Sequence, residues 1–185
     1  MAPAGITLAE YQCTVESLRG ACLVGVKYYP LSCGDDGTDI REWDFGDWHQ
    51  PTMGVELLTR EGGRYFATWD QSFDYWGLEI IQMPESDALG PAGQRSCPTE
   101  VDVTGHLSWA GLLGVPLTTV DIVWSEGGYG RPVPIAVRLS TATATVWLVA
   151  GAAAQWPPDG QFHLGTDDVM VVFSRDLATT IALPT

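Results

Sequence analysis

The stretch from Met53 to Met83 leaves this chain the least freedom. Val55 and Leu57 alternate with Gly54 and Glu56. After Gly62-Gly63, Tyr65, Ala67 and Trp69 alternate with Arg64, Phe66 and Thr68. A period of two sends successive side chains to opposite faces of a strand. Two glycines between two such runs supply the positive φ of a tight hairpin turn. An aromatic loop, Phe73-Asp74-Tyr75-Trp76-Gly77, then leads into Leu78-Glu79-Ile80-Ile81. The expectation is an antiparallel meander at the centre of a sheet.

Upstream, Thr7-Leu8-Ala9-Glu10 has the form of a capping box. Leu8, Tyr11, Val15 and Leu18 recur at helical spacing, so a helix over residues 8–19 is expected, ended by Gly20. A strand over residues 22–29 follows, with Val24, Val26 and Tyr28 on one face and Pro30 as its stop.

The second half repeats this plan. Val103, Leu107 and Ala110 suggest a short helix before Gly114, and Val120, Ile122 and Trp124 share a strand face. Val133, Ile135, Val137 and Leu139 alternate in the next strand, and Val146-Trp147-Leu148-Val149 forms another. The apolar run Val169 to Phe173 reads as a strand buried on both faces. The fold class expected is α+β: a mostly antiparallel sheet of seven or eight strands with one or two helices. Residues 1–83 and 100–185 read as two related halves, either a duplicated unit or one common local plan arisen twice, and the Pro- and Gly-rich residues 84–99 connect them, with both halves free to pack as one domain. A closed β-barrel with a pocket is the structural alternative.

A length of 185 residues is enough to bury a substantial core, and 45% hydrophobic with 17% charged residues is a globular composition. The net charge of −14 repels phosphate, which argues against nucleic acid and anionic membrane surfaces as partners. It attracts basic proteins. No apolar run is long enough to span a bilayer, and Met1 to Gly5 lacks the basic start of a signal peptide. A cytoplasmic protein with free thiols at Cys13, Cys22, Cys33 and Cys97 is expected.

Residues 30–52 carry no periodicity, and a long loop is expected there. Asp35, Asp36, Asp39, Glu42, Asp44 and Asp47 are interleaved with Trp43, Phe45 and Trp48. Aromatic anchors ringed by carboxylates have the profile of a docking surface for a cationic protein. These nine residues are the candidate partner-binding site. The competing reading folds the tryptophans back onto the sheet as core. An EF-hand starting at Asp35 fails, because its twelfth residue is Gly46 rather than Glu. His49, His106 and His163 fit no metal spacing, and the pairings Cys97/His106 and Cys33/His49 have no local support. Glu126 to Pro132 is Gly-rich but lacks a P-loop pattern. Glu56 and Glu79 are expected on a solvent face. No catalytic residue, cofactor or metal is assigned.

The functional expectation is an acidic protein-binding module, in concrete form an inhibitor or immunity-type factor for a basic toxin- or nuclease-like target. The alternative is a ligand-binding protein or enzyme with an apolar pocket lined by Tyr65, Trp69 and Trp147.

Overall fold

Strands that alternate apolar and polar residues need a second apolar layer opposite them. The computed structural model, which describes residues 6–33, 39–70, 76–84, 99–126 and 131–185, supplies it as a second sheet. The chain runs through α1 (Leu8–Glu16), β1 (Leu23–Tyr29), the two-residue strands β2 (Ser32–Cys33) and β3 (Asp39–Ile40), and β4 (Trp48–Thr52). The meander β5 (Gly54–Thr59), β6 (Arg64–Asp70) and β7 (Gly77–Met83) follows. Then come β8 (Val101–Asp102), a 3-10 turn at Leu107–Trp109, β9 (Thr119–Glu126), β10 (Pro132–Ser140), β11 (Thr145–Ala153), β12 (Phe162–Val172) and α2 (Arg175–Thr180).

One five-stranded sheet has the order β7-β6-β5-β1-β8, the other β4-β12-β11-β10-β9, and β2 pairs with β3. All recorded pairings are antiparallel. The class is α+β with open sheets, so the closed-barrel alternative does not hold. The strands also outnumber the expected seven or eight.

Leu23, Val26, Tyr28, Val55, Leu57, Ala67, Leu78 and Ile80 of the first sheet meet Val137, Leu139, Val146, Leu148, Val169 and Val171 of the second in one buried cluster. The outer face of the second sheet buries Trp48, Trp147, Val149, Met170 and Val172 beneath Ala178 of α2 and Leu183. The apolar run in β12 is thus covered on both faces, as expected for a strand lying between β4 and β11.

The capping box forms as read: Thr7 Oγ1 accepts the Glu10 N–H at 3.3 Å, and the Glu10 carboxylate accepts the Thr7 N–H at 2.9 Å. Tyr11, Val15 and Leu18 are buried, while Leu8 is exposed. Gly20 and Gly114 both take positive φ.

Three local expectations need correction. A register shift between Leu23 and Gly25 turns Leu23 inward and Val24 outward, so Val24 does not share a face with Val26. A second shift between Pro134 and Ala136 moves Ile135 to the outer cluster. The expected helix near residue 107 is only one 3-10 turn. In addition, residues 48–52, read as loop, form β4, an edge strand in which all five residues are buried.

Each half of the chain also contributes a strand to the other's sheet. β4 pairs with β12, and β8 pairs with β1. The connector at 85–98, the loop at 127–130 and the aromatic loop at 71–75 lie outside the described residues.

Candidate functional site

The segment after β3 turns sharply into β4. Gly46 takes φ +79°, Phe45 N–H donates to Trp48 O at 3.0 Å, and Gln50 N–H donates to Trp43 O at 2.7 Å. This reversal places Asp44 beside His49. His49 is the second residue of β4 and is 0% exposed. From the second half of the chain, the 3-10 turn brings in His106 and Trp109. From β1 comes Tyr28.

These residues form one connected polar chain inside an aromatic cage. Trp109 Nε1–H donates to Tyr28 Oη at 2.9 Å, and Tyr28 Oη lies 2.8 Å from His49 Nδ1. His49 Nε2 lies 3.2 Å from Asp44 Oδ1, and His106 Nε2 lies 3.1 Å from Asp44 Oδ2. Gly46 N–H donates to Asp44 Oδ1 at 2.9 Å. The contact from His49 to Asp44 is close in distance but off-angle, and His49 Nε2 has no properly aligned hydrogen bond. Trp43 stands edge-on to Tyr28, His49 and His106 with ring centroids 5.1–5.9 Å away, and Phe173 closes the other side of His49 at 4.7 Å.

Ser108 N–H donates to His106 Nδ1 at 3.3 Å, so a neutral His106 carries its proton on Nε2, facing Asp44. Trp109 fills one acceptor site on Tyr28 Oη, which leaves that oxygen both its proton and a second acceptor site to offer His49 Nδ1, so the contact serves either tautomer of His49.

Burial drives the His49 pKa down to about 4, against which the Asp44 carboxylate only partly compensates. The Gly46 N–H, and then His106 and His49, hold the Asp44 carboxyl below the usual range. Burial also pushes the Tyr28 hydroxyl well above its ordinary value.

The nine residues singled out from the sequence divide. Asp39, Glu42, Asp44 and Asp47 are exposed, and Trp43 and Phe45 are half-buried. Trp48 is only 6% exposed and stacks on Phe45 at 4.4 Å, with Phe162 edge-on at 5.0 Å. The carboxylates therefore face solvent, whereas the indole of Trp48 belongs to the outer core and that of Trp43 packs against the main one. Asp35 and Asp36 lie outside the described residues, as do Cys97 and the side chain of Cys33. Sequence reasoning overlooked His49 and His106 as partners of Asp44 because the three come from distant elements that no local spacing links.

Two other expectations change. Glu56 and Glu79 are buried rather than on a solvent face. Glu56 accepts hydrogen bonds from Tyr29 Oη at 2.8 Å and Arg64 Nε at 2.7 Å. Trp147 lies on the opposite face of the second sheet from the cluster containing Tyr65 and Trp69, so these three cannot line one cavity. An open cleft of about 800 Å³ lies elsewhere, between α1 and β9, lined by Cys13, Glu16, Arg19, Asp121 and Trp124 among others.

Among the described residues, no helix is long and apolar enough to cross a membrane. Comparison of the chain with protein-family models, with curated proteins and with solved structures finds no match.

Proposed function

We propose that the protein docks a basic partner protein through the carboxylates of residues 39–47 and the adjoining turn at Leu107. An inhibitor or immunity-type factor for a toxin- or nuclease-like target is the concrete form of this reading. One observation carries it. The hydrogen bond from His106 to Asp44 fastens the turn to the acidic segment, and the next residue, Leu107, is 88% exposed. A large apolar side chain so exposed, next in sequence to the residue that holds Asp44, combines an anchor with the exposed carboxylates of Asp44 and its sequence neighbours Glu42 and Asp47. The net charge of −14 adds long-range attraction for a cationic surface. Relative to the reading from sequence alone, which took Trp43, Phe45 and Trp48 as anchors, the anchor here is Leu107.

The test is affinity capture from the source lysate at low and high salt, with the parent protein and two variants. Asp39→Asn/Glu42→Gln/Asp47→Asn removes rim charge and leaves Asp44 in place. Leu107→Ser removes the anchor. The expected result is a basic protein retained by the parent at low salt, released at high salt and bound at least tenfold more weakly by both variants. Absence of a salt-sensitive basic partner, or equal retention by all three proteins, overturns the proposal.

A further inference from the structure

We infer that Asp44, His49 and His106 form a binding site for one divalent transition-metal ion, with Zn²⁺ the best match. This assignment does not depend on the docking proposal. The three side chains each offer a ligand atom, and these atoms all lie within 4.8 Å of one another. Two ligands bound to Zn²⁺ at about 2.0–2.1 Å with tetrahedral angles stand about 3.3 Å apart. The separations from Asp44 oxygens to His49 Nε2 and His106 Nε2, 3.2 Å and 3.1 Å, are close to that edge length.

A second observation points the same way. His49 is fully buried, its ring is fixed by Tyr28 at Nδ1, and its Nε2 faces Asp44 without an aligned hydrogen bond. A buried ring nitrogen 3.2 Å from a carboxylate oxygen, with no aligned hydrogen bond to it, has the disposition of a ligand when the ring proton sits on Nδ1. The surroundings are those of a supported metal site: Trp109 orients Tyr28, Tyr28 orients His49, and the Gly46 N–H orients Asp44.

Ligand type sets the metal class. Two imidazoles and one carboxylate suit Zn²⁺, Co²⁺ or Ni²⁺, whereas Ca²⁺ and Mg²⁺ want oxygen throughout. Partial exposure of Asp44 and His106 gives the ion a path from solvent and leaves room for water as a fourth ligand.

Binding also has a local cost. Both imidazoles must present a lone pair at Nε2 and carry their proton on Nδ1. At His106 the 3.3 Å contact from Ser108 N–H is then lost, and at His49 the Nδ1–H donates to Tyr28 Oη, which accepts from Trp109 as well.

The experiment uses the full chain after chelator treatment, titrated with Zn²⁺ against a chromogenic chelator and with Co²⁺ by visible absorption. The expected result is one ion per chain and the strong visible bands of tetrahedral Co²⁺. Asp44→Asn and His106→Gln, checked for native circular dichroism, each weaken Zn²⁺ binding at least tenfold. Tyr28→Phe weakens it by about 10- to 100-fold, the range seen when a supporting hydrogen bond is lost. Asp39→Asn/Asp47→Asn, which removes neighbouring surface charge only, leaves it unchanged. No saturable binding, displacement by excess Ca²⁺, or undiminished binding in folded Asp44→Asn and His106→Gln overturns the assignment.

Discussion

His49 is a fully buried titratable residue held between Tyr28 and Asp44. In the metal-free protein its pKa falls from 6.5 to about 4 on burial. The unfolded chain therefore binds more protons than the native state between those two values, and stability rises with pH across that window. The stability is fully present above pH 6.5 and is lost progressively toward pH 4, by about 3 kcal/mol in total. Asp44, with a lowered pKa, adds a further loss only below the normal carboxylate range. Urea unfolding at a series of pH values with chelator present measures the slope, and His49→Asn flattens it between pH 6.5 and 4. Equal slopes in both proteins would show that another group titrates.

Tyr28 is the second decisive residue. Tyr28→Phe leaves Trp109 Nε1–H and His49 Nδ1 without their shared partner in a buried site. The expected loss is about 3 kcal/mol, read as a lower urea midpoint with an unchanged m-value. The sequence made Asp44 and Trp43 conspicuous through an unusual acidic and aromatic mixture. It gave no sign of His49 and His106, because a site built from a turn, an edge strand and a distant 3-10 turn has no linear spacing.

Among the elements, α1 and the β5–β7 meander were legible because their information is local. A capping box, a helical repeat, strict alternation and a Gly-Gly turn each act within a few residues. β4 was illegible for the opposite reason. All five of its residues are buried, so alternation vanishes, and His49, Gln50, Pro51 and Thr52 look like loop. Pro51 is tolerated because β4 is an edge strand. The bulges in β1 and β10 explain Val24 and Ile135, since one extra residue reverses every face beyond it.

Two substitutions test the meander. A Cβ added at Gly54 would stand 2.5 Å from Phe66 Cζ and 2.7 Å from Ala67 O, so Gly54→Ala presses β5 against β6. A loss of about 2 kcal/mol in urea unfolding is expected. Arg64→Met strips buried Glu56 of its cation, 2.5 Å away, and costs about 3 kcal/mol at neutral pH. Adding Glu56→Leu to Arg64→Met removes the stranded charge and recovers most of that loss; failure to recover would show that the packing of Arg64, not its charge, matters.

For the molecule as a whole, composition and charge announced a folded acidic protein, and local patterns announced an α+β class. The division into two sheets was hidden, because no short-range pattern tells β4 to leave its neighbours and join β12. Each half instead donates a strand to the opposite layer, and a single core cluster draws on both layers. Heat or urea should therefore melt both halves together, with fluorescence and far-UV circular dichroism tracing coincident curves.

The pairing of β4 with β12 has a further consequence during synthesis. Thr52 meets Val169, so β4 waits for β12, made long after it, to emerge from the ribosome. Until then Trp48 lacks the cover of Phe162 and its neighbours, and the nascent chain carries a sticky, unfinished edge. Folding should be slow for a chain this small. Its yield in cells should depend on chaperones that shield β4 until β12 arrives.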